Sequence, residues 1–221
     1  MLGVTIALVS TLALGGTGIF VFLKTMQNFN PGRKRIQHDL DQFKAELQPF
    51  VAELAPWSKE EMHQLSFNLI NKTTKKQITT TTKGVFTTIY HEPVIAFAYR
   101  KYVSPKENAL LYARTSDREF IYRIKNDEVE LVIDNVLVGK IDSRGILTNA
   151  KGNKMLAQIN QSGDQALLPV QVGGKEMGSL TNPQKSSKFN PRAFEFLSEM
   201  SRDEESLFLS LAILEMFRRK K

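Results

Sequence analysis

Residues 204–217 read EESLFLSLAILEMF and are followed by Arg218, Arg219, Lys220 and Lys221. Just ahead of them, Ser201 and Glu204 have the spacing of a capping box, in which each side chain satisfies a backbone donor that the helix leaves free. Asp203, Glu204 and Glu205 suit the positive N-terminal end of a helix dipole, and the closing cations suit its negative end. The pattern predicts a helix over residues 202–218. Leu207, Phe208, Leu209, Leu211, Ala212, Ile213, Leu214, Met216 and Phe217 fall on every side of it, and a helix that is apolar all round must be buried all round. Its apolar run covers only about 16 Å, half a bilayer. A closed antiparallel sheet wrapped around the helix meets both constraints, with Leu207, Phe208, Leu211, Ile213, Leu214 and Phe217 as the buried contacts.

The sequence upstream supplies such a sheet. From Lys75 the hydrophobic period becomes two, and β-branched and aromatic residues dominate. KQITTTTKGVFTTIYH (76–91) reads as two strands joined at Lys83–Gly84. Nine more apolar stretches follow, from EPVIAFAYRKYV to EMGSL, separated by turn residues such as Asn126-Asp127, Asp134-Asn135 and Gly173-Gly174. About eleven short antiparallel strands result, a meander suited to a barrel. No helix-length segment interrupts them, which excludes a βαβ plan.

Before the strands lie two helical stretches and an apolar one. Residues 2–23 hold no charged side chain over 22 positions, long enough to cross the hydrocarbon core of roughly 30 Å. No Lys or Arg precedes this run and it exceeds a signal-peptide core, so it reads as a transmembrane anchor. Lys24, Arg33, Lys34, Arg35 and Lys44 follow it closely, which puts the N-terminus outside and the body in the cytoplasm, or in the matrix or stroma of an organelle. Asn30 and Pro31 then suit the start of a helix. In it Ile36, Leu40, Phe43, Leu47, Phe50 and Leu54 recur with a seven-residue repeat, a narrow apolar seam for the chain's own domain or for a partner helix. Pro49 should kink or split this helix near residues 45–48. Ser58 and Glu61 cap a second helix, with Leu65, Leu69 and Ile70 as its buried side. The expected domains are an anchor (1–24), a helical stalk (25–72) and a barrel with its central helix (73–221).

The meander and its terminal helix, with the paired strands VLVGKID (136–142) and KEMGSL (175–180) and the closing DEESLFLSLAILEM (203–216), resemble the tubby-like β-barrel group, which includes tubby, the phospholipid scramblases and the LURP-one-related proteins. The resemblance covers residues 75–219. It implies a barrel around a central helix and a working place at membranes. The chain lacks that group's cysteine cluster, Pro-rich leader and calcium segment, so no individual functional residue carries over.

No reaction can be read from the residues. The chain has no cysteine, hence no disulfide, thiolate ligand or Cys nucleophile. His38, His63 and His91 lie in separate segments without metal-ligand spacing. GGKE (173–176) lacks the flanks of a P-loop, and GGTG (15–18) follows no strand. Glu128, Glu130, Asp134 and Asp142 alternate along strands or fill turns. No cofactor is expected. A net charge of +7 favours acidic partners, and three basic clusters carry much of it: Arg33, Lys34 and Arg35; Lys72, Lys75 and Lys76; Arg218, Arg219, Lys220 and Lys221. If all three meet one leaflet, each cation contributes about 1 kcal/mol toward an anionic surface. Basic and aromatic residues do not interleave as in nucleic-acid modules. The expected function is a single-pass, non-catalytic adaptor or accessory subunit of a membrane complex with the barrel as its binding surface, or else an anionic-lipid-binding or lipid-handling membrane protein.

Overall fold

The computed structural model describes residues 31–161, 165–186 and 190–220. The anchor expected over 1–24 lies outside these residues, as do Asn30 and Lys221. Among the described residues no helix is long and apolar enough to cross a membrane.

Helix α1 (Arg33–Val51) and the short α2 (Lys59–Gln64) precede twelve strands, and α3 (Arg202–Lys220) follows them. The strands are β1 (Leu65–Lys76), β2 (Thr80–Thr88), β3 (Pro93–Lys101), β4 (Asn108–Arg114), β5 (Glu119–Lys125), β6 (Glu128–Ile133), β7 (Val136–Ile141), β8 (Ile146–Asn149), β9 (Met155–Ile159), β10 (Leu167–Val172), β11 (Lys175–Thr181) and β12 (Phe194–Glu195). Each pairs antiparallel with the next in a single sheet. The sheet comes round on itself: Ser66 bridges Arg192, and Ala193 N donates to Leu65 O at 2.6 Å. The fold is a nearly closed twelve-stranded antiparallel barrel with a C-terminal helix.

Helix α3 is buried from Phe208 to Phe217. Phe208, Leu211, Ile213, Leu214 and Phe217 are at most 4% exposed, and Leu207 is half-buried against the same core. Its contacts reach widely separated strands. The Phe217 ring meets Phe97 and Tyr99 of β3, Phe208 meets Phe194 of β12, and Tyr122 of β5 donates to Ser210 O at 2.8 Å. Leu168 and Val170 of β10 and Ile159 of β9 complete the core. The capping box forms, with Ser201 N donating to Glu204 Oε2 at 2.9 Å and Glu204 N to Ser201 Oγ at 3.4 Å.

Helix α1 lies on the outer face. Leu40, Phe43, Leu47 and Leu54 are buried, and Ile36 and Phe50 half-buried, against Val85, Ala96, Ala98, Leu110, Tyr112 and Ile121 of β2–β5. The seam is thus buried for most of its length on the chain's own domain. This explains why β3 and β4 are buried on both faces while β6 alternates, with Glu128 and Glu130 exposed. Asp39, fully buried on α1, fixes the helix in place: Arg100 of β3, Tyr102 and Arg35 all donate to its carboxylate.

Several sequence expectations are corrected. The second helix ends at Gln64, and Leu65, Leu69 and Ile70 belong to β1, so the barrel begins some eight residues before 73. Their spacing fits a helix, but Leu65, Phe67 and Leu69 also alternate. Pairing with β2, interrupted by two register shifts, decides the matter. Lys83–Gly84 is no turn: β2 runs through it, and the turn is at residues 77–79. Gly84 is there for packing, because a Cβ on it would lie 3.0 Å from Phe97 Cζ. The twelfth strand, β12, has two residues and too little pattern to be seen. Helix α1 starts at Arg33 behind Gly32, not behind Asn30, and runs unbroken to Val51. Pro49 falls in its last turn, so the hydrogen bond to Ala45 O that it cannot make is lost only at the end of the helix.

Candidate functional site: the basic end of the barrel

In a meander, turns that follow odd-numbered strands share one end of the barrel and turns that follow even-numbered strands share the other. Lys75 and Lys76 reach the first end at the tip of β1. There Lys72 Nζ donates to Lys220 O at 3.1 Å, which joins the second basic cluster to the last turn of α3. The start of α1 lies at the same end, because Arg33 shares a groove with Lys106 of the β3–β4 turn and with Asn126 and Asp127 of the β5–β6 turn. At its far end the α1 segment returns to the start of β3, where Ala55 N donates to Pro93 O. The tertiary structure therefore gathers the described members of all three clusters, from Arg33 to Lys220 in the chain, at one end of the barrel.

The positions differ in character. Arg33, Lys34, Lys72, Lys75, Lys76 and Lys220 are exposed, whereas Arg35, Arg218 and Arg219 are half-buried. Arg35 is engaged with Asp39, and Arg219 with Glu215 at 2.8 Å. Arg218, Arg219 and Lys220 stand in the last turn of α3, where they also balance its dipole. Arg33, Lys34 and Arg35 do the reverse. They occupy the first turn of α1, which has no acidic residue and no side-chain cap, so they oppose the helix dipole. Helix stability does not account for Arg33 and Lys34.

Lys101 and Lys106 join the end at β3 and its following turn, and Ile78, 37% exposed, stands at the tip of the β1–β2 turn between lysines. Sequence reading missed these because they are single residues in separate hairpins; the parity of their turns would have revealed them. Asp203, Glu204 and Glu205 begin α3 at the opposite end, and Glu60 and Glu61 lie there in the first turn of α2; Glu107, Asp127, Glu128 and Asp142 stand in or beside turns of the basic end. Trp57 Nε1 donates to Glu205 there at 2.6 Å. Lys151 and Lys154 also sit at that end, in the β8–β9 turn.

A groove of about 1030 Å³ runs between the first half of α1 and the outer face of β5–β7. Ile36, Leu40, Leu110, Ile121 and Val132 line its apolar part, and Arg33, Lys125, Glu130 and Lys140 its rim. Lys140 is paired with Glu128 at 2.9 Å. The shifted ionisations lie in the packed wall instead. Burial, then the Asp39 carboxylate, pushes the Tyr102 phenol far above its usual range, and burial with Glu119 does the same to Tyr112. Burial tends to raise Glu119, but its hydrogen bond and charge contact with Lys44 outweigh this and hold it below the usual carboxylate range. These groups lock α1 to the sheet and face no cleft. His38, His63 and His91 are exposed and separate, and among the described residues no three His, Asp or Glu side chains converge to hold a metal.

Comparison of the chain with protein-family models, with curated proteins and with solved structures finds no match.

Proposed function

We propose that the protein is a membrane-anchored, non-catalytic adaptor whose barrel settles with its basic end on an anionic lipid surface. The observation that carries this reading is the shared end of the three cation clusters, of which the α1 cluster sits against its own helix dipole. Each exposed cation near an anionic leaflet contributes about 1 kcal/mol. Ile78 at the tip of the same end gives an apolar side chain to press among the headgroups. The apolar segment 2–23 would provide the anchor, and α1 starts ten residues after it, at the end that meets the bilayer. A sheet meander with a buried terminal helix supports reading the domain as tubby-like.

The test uses the full chain in nanodiscs of phosphatidylcholine, with and without phosphatidylserine, and amine acylation read by mass spectrometry. Lys72, Lys75, Lys76 and Lys220 should be protected only in anionic discs, and salt should reverse the protection. Lys151, Lys154 and Lys175, at the other end, serve as internal controls. Equal labelling of the two groups in both discs would reject the reading.

A protein partner is the other half of an adaptor, and the groove beside α1 supports its place. Ile36 and Leu40 belong to the apolar seam yet also line the groove, so this part of the seam is where a partner segment would lie. Cross-linking from a photoreactive residue at Gln37, followed by mass spectrometry, identifies the segment; cross-links to lipid alone would reject it.

A further inference from the structure

The mouth of the barrel at the basic end is not filled by α3. A cavity of about 170 Å³ opens above the last turn of the helix, against the inner face of β1–β3. Its floor is apolar, made by Leu69, Phe97, Tyr99 and Phe217, and its rim carries Lys72, Lys76, Lys101 and Lys220. Thr74 and Thr82, hydrogen-bonded to each other at 3.2 Å, form one wall. No carboxylate lines it, and the hydroxyl of Tyr99 donates to Glu107 Oε1 at 3.5 Å. Lys72 is committed to the carbonyl of Lys220, whereas Lys76 and Lys101 have no acidic partner among the described residues. An apolar floor beneath unpaired cations is a combination that neither barrel packing nor helix capping calls for.

We propose that this mouth binds a small amphiphilic anion: a benzene-sized or short alkyl group that carries a phosphate or a carboxylate. The size follows from the volume, since a cavity of about 150 Å³ holds one benzene; a whole lipid does not fit. The apolar group lies over Phe97, Tyr99 and Phe217, and the anion meets the amines of Lys76 and Lys101. Placing it there adds charge-assisted hydrogen bonds in a partly dry site, where they are worth more than in water. The inference does not rest on membrane docking, because the ligand is a soluble anion.

The test is calorimetry on the full chain in phosphatidylcholine nanodiscs with phenyl phosphate and hexanoate, and with inorganic phosphate and hexanol as their truncated counterparts. At least one of the two amphiphilic anions should bind, with its counterpart about tenfold weaker or more. Tighter phenyl phosphate assigns the phosphate, and tighter hexanoate the carboxylate. Lys76→Gln and Lys101→Gln should each weaken binding about tenfold, the size of one charge-assisted hydrogen bond. Thr82→Phe should fill the cavity and abolish binding while the circular-dichroism melt stays unchanged. The proposal is overturned if neither anion binds, if the anion that binds is matched in affinity by its truncated counterpart, or if the lysine variants keep full affinity.

Discussion

Tyr102 donates its phenolic hydrogen to Asp39 Oδ2 at 2.7 Å, which ties the chain just past β3 to the middle of helix α1. Both side chains are buried, and Arg100 donates to the other oxygen of the same carboxylate. Asp39→Ala leaves the guanidinium and the phenol without their acceptor. Breaking a buried charge pair from one side costs about 3–5 kcal/mol, which lowers the melting temperature by about 10 °C in a domain of this size. Scanning calorimetry of the variant measures it. A shift of only a degree or two would mean that α1 is held by its apolar seam alone.

Buried phenols, that of Tyr102 among them, should set the alkaline limit of stability. The phenols of Tyr102, Tyr112 and Tyr122 are raised by burial, with Asp39 adding to Tyr102 and Glu119 to Tyr112. A group whose folded value lies above its unfolded value gives stability that is complete below the unfolded value, about 10 for tyrosine, and is lost as pH climbs beyond it. Stability should therefore be flat up to about pH 10 and fall above it, and Tyr102→Phe should make the fall shallower. Urea titrations at stepped pH give the slope; an identical slope in the variant would contradict the assignment.

At the acid side the sign reverses. Glu119 is held low by Lys44, and Glu46, although burial tends to raise it, by its hydrogen bond to Lys83. Depressed carboxylates give stability that is present above the unfolded value, about 4.3, and is lost as pH falls through the folded one. Lys44→Met should remove part of this acid sensitivity. Both carboxylates are partly exposed, so the effect is small and screened by salt.

Charge reversal at the start of α1 separates stability from docking. Arg33→Glu with Lys34→Glu should stabilise the helix by about 0.3–1 kcal/mol per site, since anions suit a helix N-terminus. The same pair should weaken protection of the basic end in anionic nanodiscs. A variant that melts higher and docks as well as the parent would remove this cluster from the membrane surface.

Leu211→Asp tests the buried helix. Leu211 is 1% exposed among core side chains, and an unpaired carboxylate there is heavily penalised. The variant should lose its cooperative thermal transition, while Tyr122→Phe, which removes only the 2.8 Å bond to Ser210 O, should cost about 1 kcal/mol. An unchanged transition in Leu211→Asp would be incompatible with an enclosed α3.

Gly139→Ala should be costly for a different reason. A Cβ there would lie 1.8 Å from Thr148 O in the neighbouring strand, and relieving such overpacking costs about 1–3 kcal/mol. Gly178, in the matching KEMGSL strand, has φ of 153° and would meet Leu197 Cδ2 at 2.9 Å. Both glycines stand beside register shifts, between β6 and β7 and between β10 and β11. The repeated motif therefore marks two bends in the barrel wall.

By itself the sequence determined the plan of this protein. A helix apolar on every side and too short for a bilayer has to be enclosed, and a run of period-two segments separated by turns can pair only as an antiparallel meander. The capping box at Ser201 and Glu204 was legible because it depends on neighbours three residues apart. What the tertiary structure alone decided was whatever depends on partners far along the chain. Residues 65–70 fit a helix or a strand until β2 offered its hydrogen bonds, and Gly84 looked like a turn until Phe97 crossed it. The α1 seam was apolar whether it met a stranger or its own barrel. Three basic clusters became one surface only because alternate turns of a meander share an end.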